Sequence, residues 1–78
     1  DYGMFIQSIM LSAVEKGLAT CPQAALGEYP DIVRQEFPEY KDKMVLCGLA
    51  LGYEDKDQIV NSYRTAREDI SRFVRYYN

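Results

Sequence analysis

The longest apolar run in the chain, Met44 to Tyr53 (Met-Val-Leu-Cys-Gly-Leu-Ala-Leu-Gly-Tyr), constrains the fold more than any other stretch. A strand solvated on one side alternates polar and apolar residues, and this run does not. It therefore reads as a buried strand covered by helices on both sides. A helix over the same residues would carry Gly48 and Gly52, each costing about 1 kcal/mol relative to Ala. Gly48 also marks a place where something can approach the backbone closely. Read from its residues alone, the run is a core strand with no chemistry of its own.

The segment before it divides at glycines and prolines. Asp1 to Gly17 predicts a helix, and at 100 degrees per residue Met4, Ile6, Ile9, Met10, Leu11, Ala13 and Val14 occupy more than half of its circumference. Gln7 is a polar exception, and Ser8, Ser12, Glu15 and Lys16 form a narrow wedge. Such a helix is expected to be buried on most sides. Few other elements are present to cover it, so the sequence predicts either a piece of a larger protein or an intimate oligomer. Gly17 is placed to be the left-handed residue that ends the helix, with Lys16 complementing its dipole.

Leu18 to Pro22 reads as extended, because Thr20 and Cys21 suit a strand and the residue before a proline is pushed out of the helical region. A short helical turn is predicted from Pro22, over Gln23 to Leu26, stopped by Gly27. A second helix is expected from about Pro30 to Glu36, with Ile32, Val33 and Phe37 as its buried side, ended by Pro38. Glu39 to Lys43 is a charged turn. Beyond Tyr53, Glu54 to Gln58 is a solvated loop without the spacing of a calcium loop, and Ile59 and Val60 are candidates to dock on the core. Glu68 to Asn78 fits a helical stripe (Ile70, Phe73, Val74, Tyr77) and equally an extended tail.

Seventy-eight residues make at most one small domain, burying only about 60% of its unfolded surface. The chain nevertheless carries seven tyrosines and is 47% hydrophobic. That surplus predicts apolar surface meeting something beyond these residues. Nine basic residues against twelve acidic ones, with no basic run, leave no electrostatic footprint for nucleic acid. No segment reaches the roughly 18 apolar residues of a membrane span, and the first residues lack a signal-peptide pattern, so a cytoplasmic location is expected. Cys21 and Cys47 lie in apolar surroundings. Without histidine or a Cys-x-x-Cys pair they read as reduced core residues, not as a zinc or redox site.

Catalytic templates find no match. There is no histidine for a triad or general base, no Gly-rich phosphate loop and no thiol beside a base. Two features remain. Arg64 and Arg67, with Asn61 and Thr65 nearby, could grip a phosphate or carboxylate, or could be surface arginines in salt bridges. Thr20 to Ala25 turns from strand into helix at a proline, where free amides can meet an anion or an electron-rich ring edge, as they can at any helix start.

Four blocks in order are more specific than either feature: Gly-Leu-Ala-Thr-Cys-Pro-Gln-Ala-Ala (17–25), Tyr-Pro-Asp-Ile-Val-Arg-Gln-Glu (29–36), the run at 44–53, and Asn-Ser-Tyr-Arg-Thr-Ala-Arg (61–67). Together they closely resemble the C-terminal part of the FMN-dependent nitroreductase family. The opening Asp-Tyr-Gly-Met-Phe-Ile-Gln-Ser-Ile-Met-Leu looks like that family's long central helix. The resemblance covers essentially the whole chain and implies an α+β fold, a long buried helix and short helices packed on a small sheet. It also implies a parent two to three times this length, a homodimer with FMN at the subunit interface. Such an enzyme takes hydride from NAD(P)H and reduces nitroaromatics, quinones or related acceptors. In this likeness Pro22, Gln23, Ala24 and Ala25 match the turn along the isoalloxazine ring. Arg64 and Arg67 match the residues holding the FMN phosphate, and no catalytic residue is assigned.

The family's Arg-Arg-Ser type phosphate segment is absent, so about half of the cofactor site is missing and the chain alone is not expected to be a competent reductase. Two other readings stand beside this one. The chain could be a non-catalytic module that self-associates through its apolar helix and tail, or a relative using the same flavin cradle for dehalogenation.

Overall fold

The computed structural model describes residues 1–78. Helix α1 spans Tyr2–Glu15, with Asp1 at its N-cap. Its end follows the glycine signal. Gly17 adopts φ 74°, the amide of Leu18 donates to Ala13 O at 2.8 Å, and that of Gly17 donates to Val14 O at 3.0 Å. These two bonds make a Schellman cap, which satisfies carbonyls that the last helical turn leaves open. The chain then turns straight into strand β1, Ala19–Gln23.

A 3-10 turn, Ala24–Glu28, follows β1, and helix α2 occupies Pro30–Glu36, the range that the two prolines predict. Pro38 holds Phe37 at φ −127°, ψ 70°, outside the helical region, which is why α2 stops there. Arg34 ties α2 to the following segment, donating through Nη2 to Lys43 O at 3.1 Å. Strand β2 is Gly48–Gly52, and 3-10 turns lie at Pro38–Tyr40, Ile59–Asn61 and Ile70–Arg72. The fold is a small α+β unit of two helices and one two-stranded sheet.

The sheet corrects the reading of the apolar run. Only its second half is strand, and Met44 to Cys47 has no regular structure. β2 pairs with β1 antiparallel, in the register Ala19↔Gly52, Cys21↔Ala50, Gln23↔Gly48. It is not covered on two faces: Met44 is 80% exposed, and Leu51 and Tyr53 are exposed as well. Apolar composition indicates what a segment would bury, but burial requires surface from other elements, and this chain supplies little. Pro22 was predicted to open a helix and instead lies within β1, opposite Leu49. A two-stranded sheet has an outer edge along each strand, where a residue without an N–H is tolerated.

Burial differs from expectation throughout. The only fully buried residue is Ala13, at 5% exposure. On α1, Ile6, Ile9, Met10 and Ala13 form the inward stripe, at the spacing that puts them on one helical face. Met4, Phe5, Leu11 and Val14 stand in solvent, so the helix is not buried on most sides within this chain. Ile32 and Phe37 are exposed and only Val33 of that trio is half-buried. Ile59 and Val60 do not dock on the core. Cys21 is exposed and Cys47 half-buried, so neither is a core residue; both are free thiols. The tail is neither a long helix nor a paired strand, having only the single 3-10 turn Ile70–Arg72.

The accessible surface is 7639 Å², where a compact monomer of this mass would show about 4,900 Å². The radius of gyration is 17.2 Å, against about 11.5 Å for a compact chain of this length. An elongated chain with a single buried residue leaves most of its apolar surface in solvent.

Candidate functional site

The Pro22–Ala25 segment straddles the junction of β1 with the 3-10 turn. Gln23, at φ −130° and ψ 94°, is the last extended residue and serves as the turn's N-cap through its position, with no side-chain cap bond. Ala24 and Ala25 are the first two residues of the turn, so their amides have no acceptor within it. All four residues are exposed. The helical turn expected over Gln23 to Leu26 is therefore a 3-10 turn that begins one residue later and runs through Gly27, the predicted stop, to Glu28, but the unpaired amides survive the change.

The turn is seated on the segment leading into β2 with almost no clearance. A Cβ placed on Gly27 would overlap the carbonyl oxygen of Leu46 and stand 3.3 Å from that of Val45. One placed on Gly48 would overlap Cδ1 of Leu26 and stand 3.6 Å from Gln23 Oε1. The sequence marked Gly48 as a point of close approach, and the approaching group is Leu26. Gly27 was read only as a stop signal, because the residues it touches lie about twenty positions later.

Arg64 and Arg67 fall in a stretch, Tyr63–Asp69, with neither helix nor strand. Arg64 Nη1 donates to Tyr63 O at 3.1 Å and Asn61 O at 3.4 Å; Arg67 Nη1 donates to Thr65 Oγ1 at 2.7 Å. Each guanidinium uses one nitrogen on its own main chain and leaves most of its five donors open. The salt-bridge alternative does not hold for them, since the two ion pairs of the chain are Arg34–Asp31 at 3.4 Å and Arg72–Glu68 at 3.2 Å. No hydrogen bond joins the arginines to Pro22–Ala25, and none of the three main cavities is lined by both.

Asn61, at the other end of this basic stretch, is drawn toward the sheet. Its Nδ2 donates to Asp55 O at 2.8 Å, and the Asp55 carboxylate accepts from the Asp57 amide at 3.1 Å. The loop so closed lines a cavity of about 300 Å³ with Thr20, Cys21, Ala50 and Tyr53. A second cavity, about 310 Å³, lies between α1 (Phe5, Ile9, Ala13) and Leu18 and Leu51. Further along, Asp69 caps the last 3-10 turn. Its Oδ1 accepts from Ser71 Oγ at 2.6 Å and from the Ser71 amide at 2.9 Å, and these bonds, the hydroxyl's first, hold its carboxyl below the ordinary 3.8.

No protein-family model matches the chain. It is 36% identical to the 4-nitrobenzoate reductase of Pseudomonas putida over 97% of its own length and 34% of that protein's. It is likewise 36% identical to the chloronitrobenzene nitroreductase of Comamonas testosteroni, over 96% of this chain and 33% of the relative. In structure it matches the FMN-dependent nitroreductase NfnB of Mycobacterium smegmatis, solved with NADPH. The TM-score is 0.90 at 36% identity, over 97% of this chain and 34% of that one. The chain thus spans about a third of the length of the curated relatives it matches. In sequence and in fold, nearly all of the chain is similar to about a third of these nitroreductases, one of them solved as an FMN-dependent enzyme.

Proposed function

We propose that this chain is the C-terminal part of an FMN-dependent NAD(P)H oxidoreductase that reduces nitroaromatics, quinones or similar acceptors. The observation that carries the reading is the combined match in sequence and fold to NfnB, whose solved structure contains NADPH. Bound FMN would supply the redox chemistry by accepting hydride from the nicotinamide and passing electrons to the acceptor. The residues present fit such a group by their chemistry. The amides of Ala24 and Ala25 are donors without internal acceptors, suited to the polar edge of a ring that gains charge on reduction. Pro22 and Gln23 set the direction from which those amides approach. Arg64 and Arg67 carry charge that no carboxylate of the chain neutralises, as a phosphate requires.

The same proposal gives the exposed apolar stripes a partner. Met4, Leu11 and Val14 on α1, with Phe73 and Tyr77 in the tail, would meet the rest of the protein and a second subunit in a homodimer. A cytoplasmic location would suit an enzyme drawing on NAD(P)H. No helix of the chain is long and apolar enough to cross a membrane. A second reading, a non-catalytic module that self-associates, is favoured only by that exposed surface. Titration of the longer parent protein with FMN separates the two: quenching of flavin fluorescence, followed by bleaching of flavin absorbance with NAD(P)H, is the expected result. Failure of the parent to bind FMN would overturn the oxidoreductase reading.

A further inference from the structure

We infer that Gly27 and Gly48 are positioning residues, which set the height and direction of the Pro22–Ala25 turn by closing it onto the backbone at the entrance of β2. The inference rests on the flavin-facing reading of that turn. It begins from a contrast among the five glycines. A Cβ at Gly3, Gly17 or Gly52 would meet nothing within 4 Å, whereas one at Gly27 or Gly48 would overlap a neighbour. Neither of these two glycines has positive φ, the only such residue being Gly17. Conformational freedom therefore does not explain them, and space does.

The two contacts are reciprocal. Gly27 in the turn lies against the carbonyls of Val45 and Leu46, and Gly48 at the start of β2 lies against Leu26 of the turn. Gln23 stands beside Gly48 twice over, as its ladder partner and through Oε1. The turn that presents the Ala24 and Ala25 amides is thus clamped at its base from both sides. Ordinary van der Waals contact begins near 3.4 Å. A methyl at position 27 therefore displaces the turn or the 45–46 backbone by on the order of 1 Å, enough to misalign donors held for a reacting group. The obstruction at Gly27 is backbone and has no side chain to move aside. At Gly48 it is the end of Leu26, which a second substitution removes.

The test uses the full-length protein carrying this chain, reconstituted with FMN, in the forms Gly27→Ala, Gly48→Ala and Leu26→Ala/Gly48→Ala. The readouts are the dissociation constant of oxidised FMN and the two-electron midpoint potential of the bound flavin. In Gly27→Ala the preference for reduced over oxidised flavin is expected to fall tenfold, a potential lower by about 30 mV. Gly48→Ala should shift the same way, and Leu26→Ala in the double variant should restore the potential. A merely structural role lowers stability and leaves the potential of bound flavin unmoved. If Gly27→Ala does not fold, the Gly48 pair decides alone. An unchanged potential in folded, FMN-bound variants overturns the inference, whereas absence of FMN binding by the unmodified protein removes the reading beneath it.

Discussion

Replacing Gly17 by alanine isolates one term of the α1–β1 junction. Gly17 sits at φ 74°, and its amide and that of Leu18 close the cap on Val14 and Ala13. An added Cβ would meet nothing within 4 Å, so no clash with neighbours contributes. The cost is the intrinsic one of an L-residue in the left-handed region, roughly 1–2 kcal/mol. Alanine also restricts the unfolded chain, which returns roughly 0.4–1 kcal/mol and leaves a net loss of about 1 kcal/mol. Asparagine tolerates this region better and should lie between glycine and alanine. Urea unfolding of the folded protein, at constant denaturant slope, measures the order Gly, Asn, Ala. Because β1 begins at Ala19, loosening the cap also frees the Leu18 amide, and its hydrogen exchange should accelerate in step with the stability loss. A Gly17→Ala protein with an unchanged midpoint, or an asparagine variant no better than alanine, would refute the assignment of the helix end to this cap.

Arg64→Ala and Arg67→Ala in the parent protein should each weaken FMN binding by about tenfold or more, the range of a lost charged hydrogen bond of roughly 1.5–3 kcal/mol; calorimetric titration giving unchanged affinity for both would remove the arginines from the site. Asp69 has a folded-state pKa below its ordinary 3.8, so its support of the 3-10 turn is fully present above that value and is lost as pH falls through the depressed one. The Ser71 amide resonance should therefore titrate with a midpoint below 3.8, and an Asp69→Asn protein should lose that response. The 78-residue chain on its own, with 7639 Å² exposed, should bind a hydrophobic dye and self-associate as its concentration rises; sedimentation as a compact monomer at all concentrations would count against it.

Signals that act within one turn of chain were legible without the structure. Pro30 and Pro38 bound α2, because a proline fits a first helical turn and excludes its predecessor from the helical region. Gly17 ends α1 for a similarly local reason. The order of the four sequence blocks carried the resemblance to the nitroreductases, and the solved NfnB structure is similar in fold over 97% of this chain. The strand was legible only in part. Gly48–Gly52 is poor in β-branched residues, and it becomes a strand through pairing with β1, which lies more than twenty residues earlier.

The candidate site divides along the same line. The sequence named Pro22 to Ala25 and the two arginines as groups of the right chemistry, and marked Gly48 as a close approach. It could not tell that Pro22 ends up within a strand, that the arginines lack carboxylate partners, or that Gly27 rests on the Leu46 carbonyl. By itself, then, the sequence determined the limits of α1 and α2, the left-handed glycine and the resemblance to the nitroreductases, all of which depend on residue identity and near neighbours. Tertiary structure alone decided strand pairing, burial and the clearance beneath the turn, because each depends on which distant surfaces are brought into contact. An apolar residue carries its preference for burial wherever it stands, but the surface that buries it must come from elsewhere.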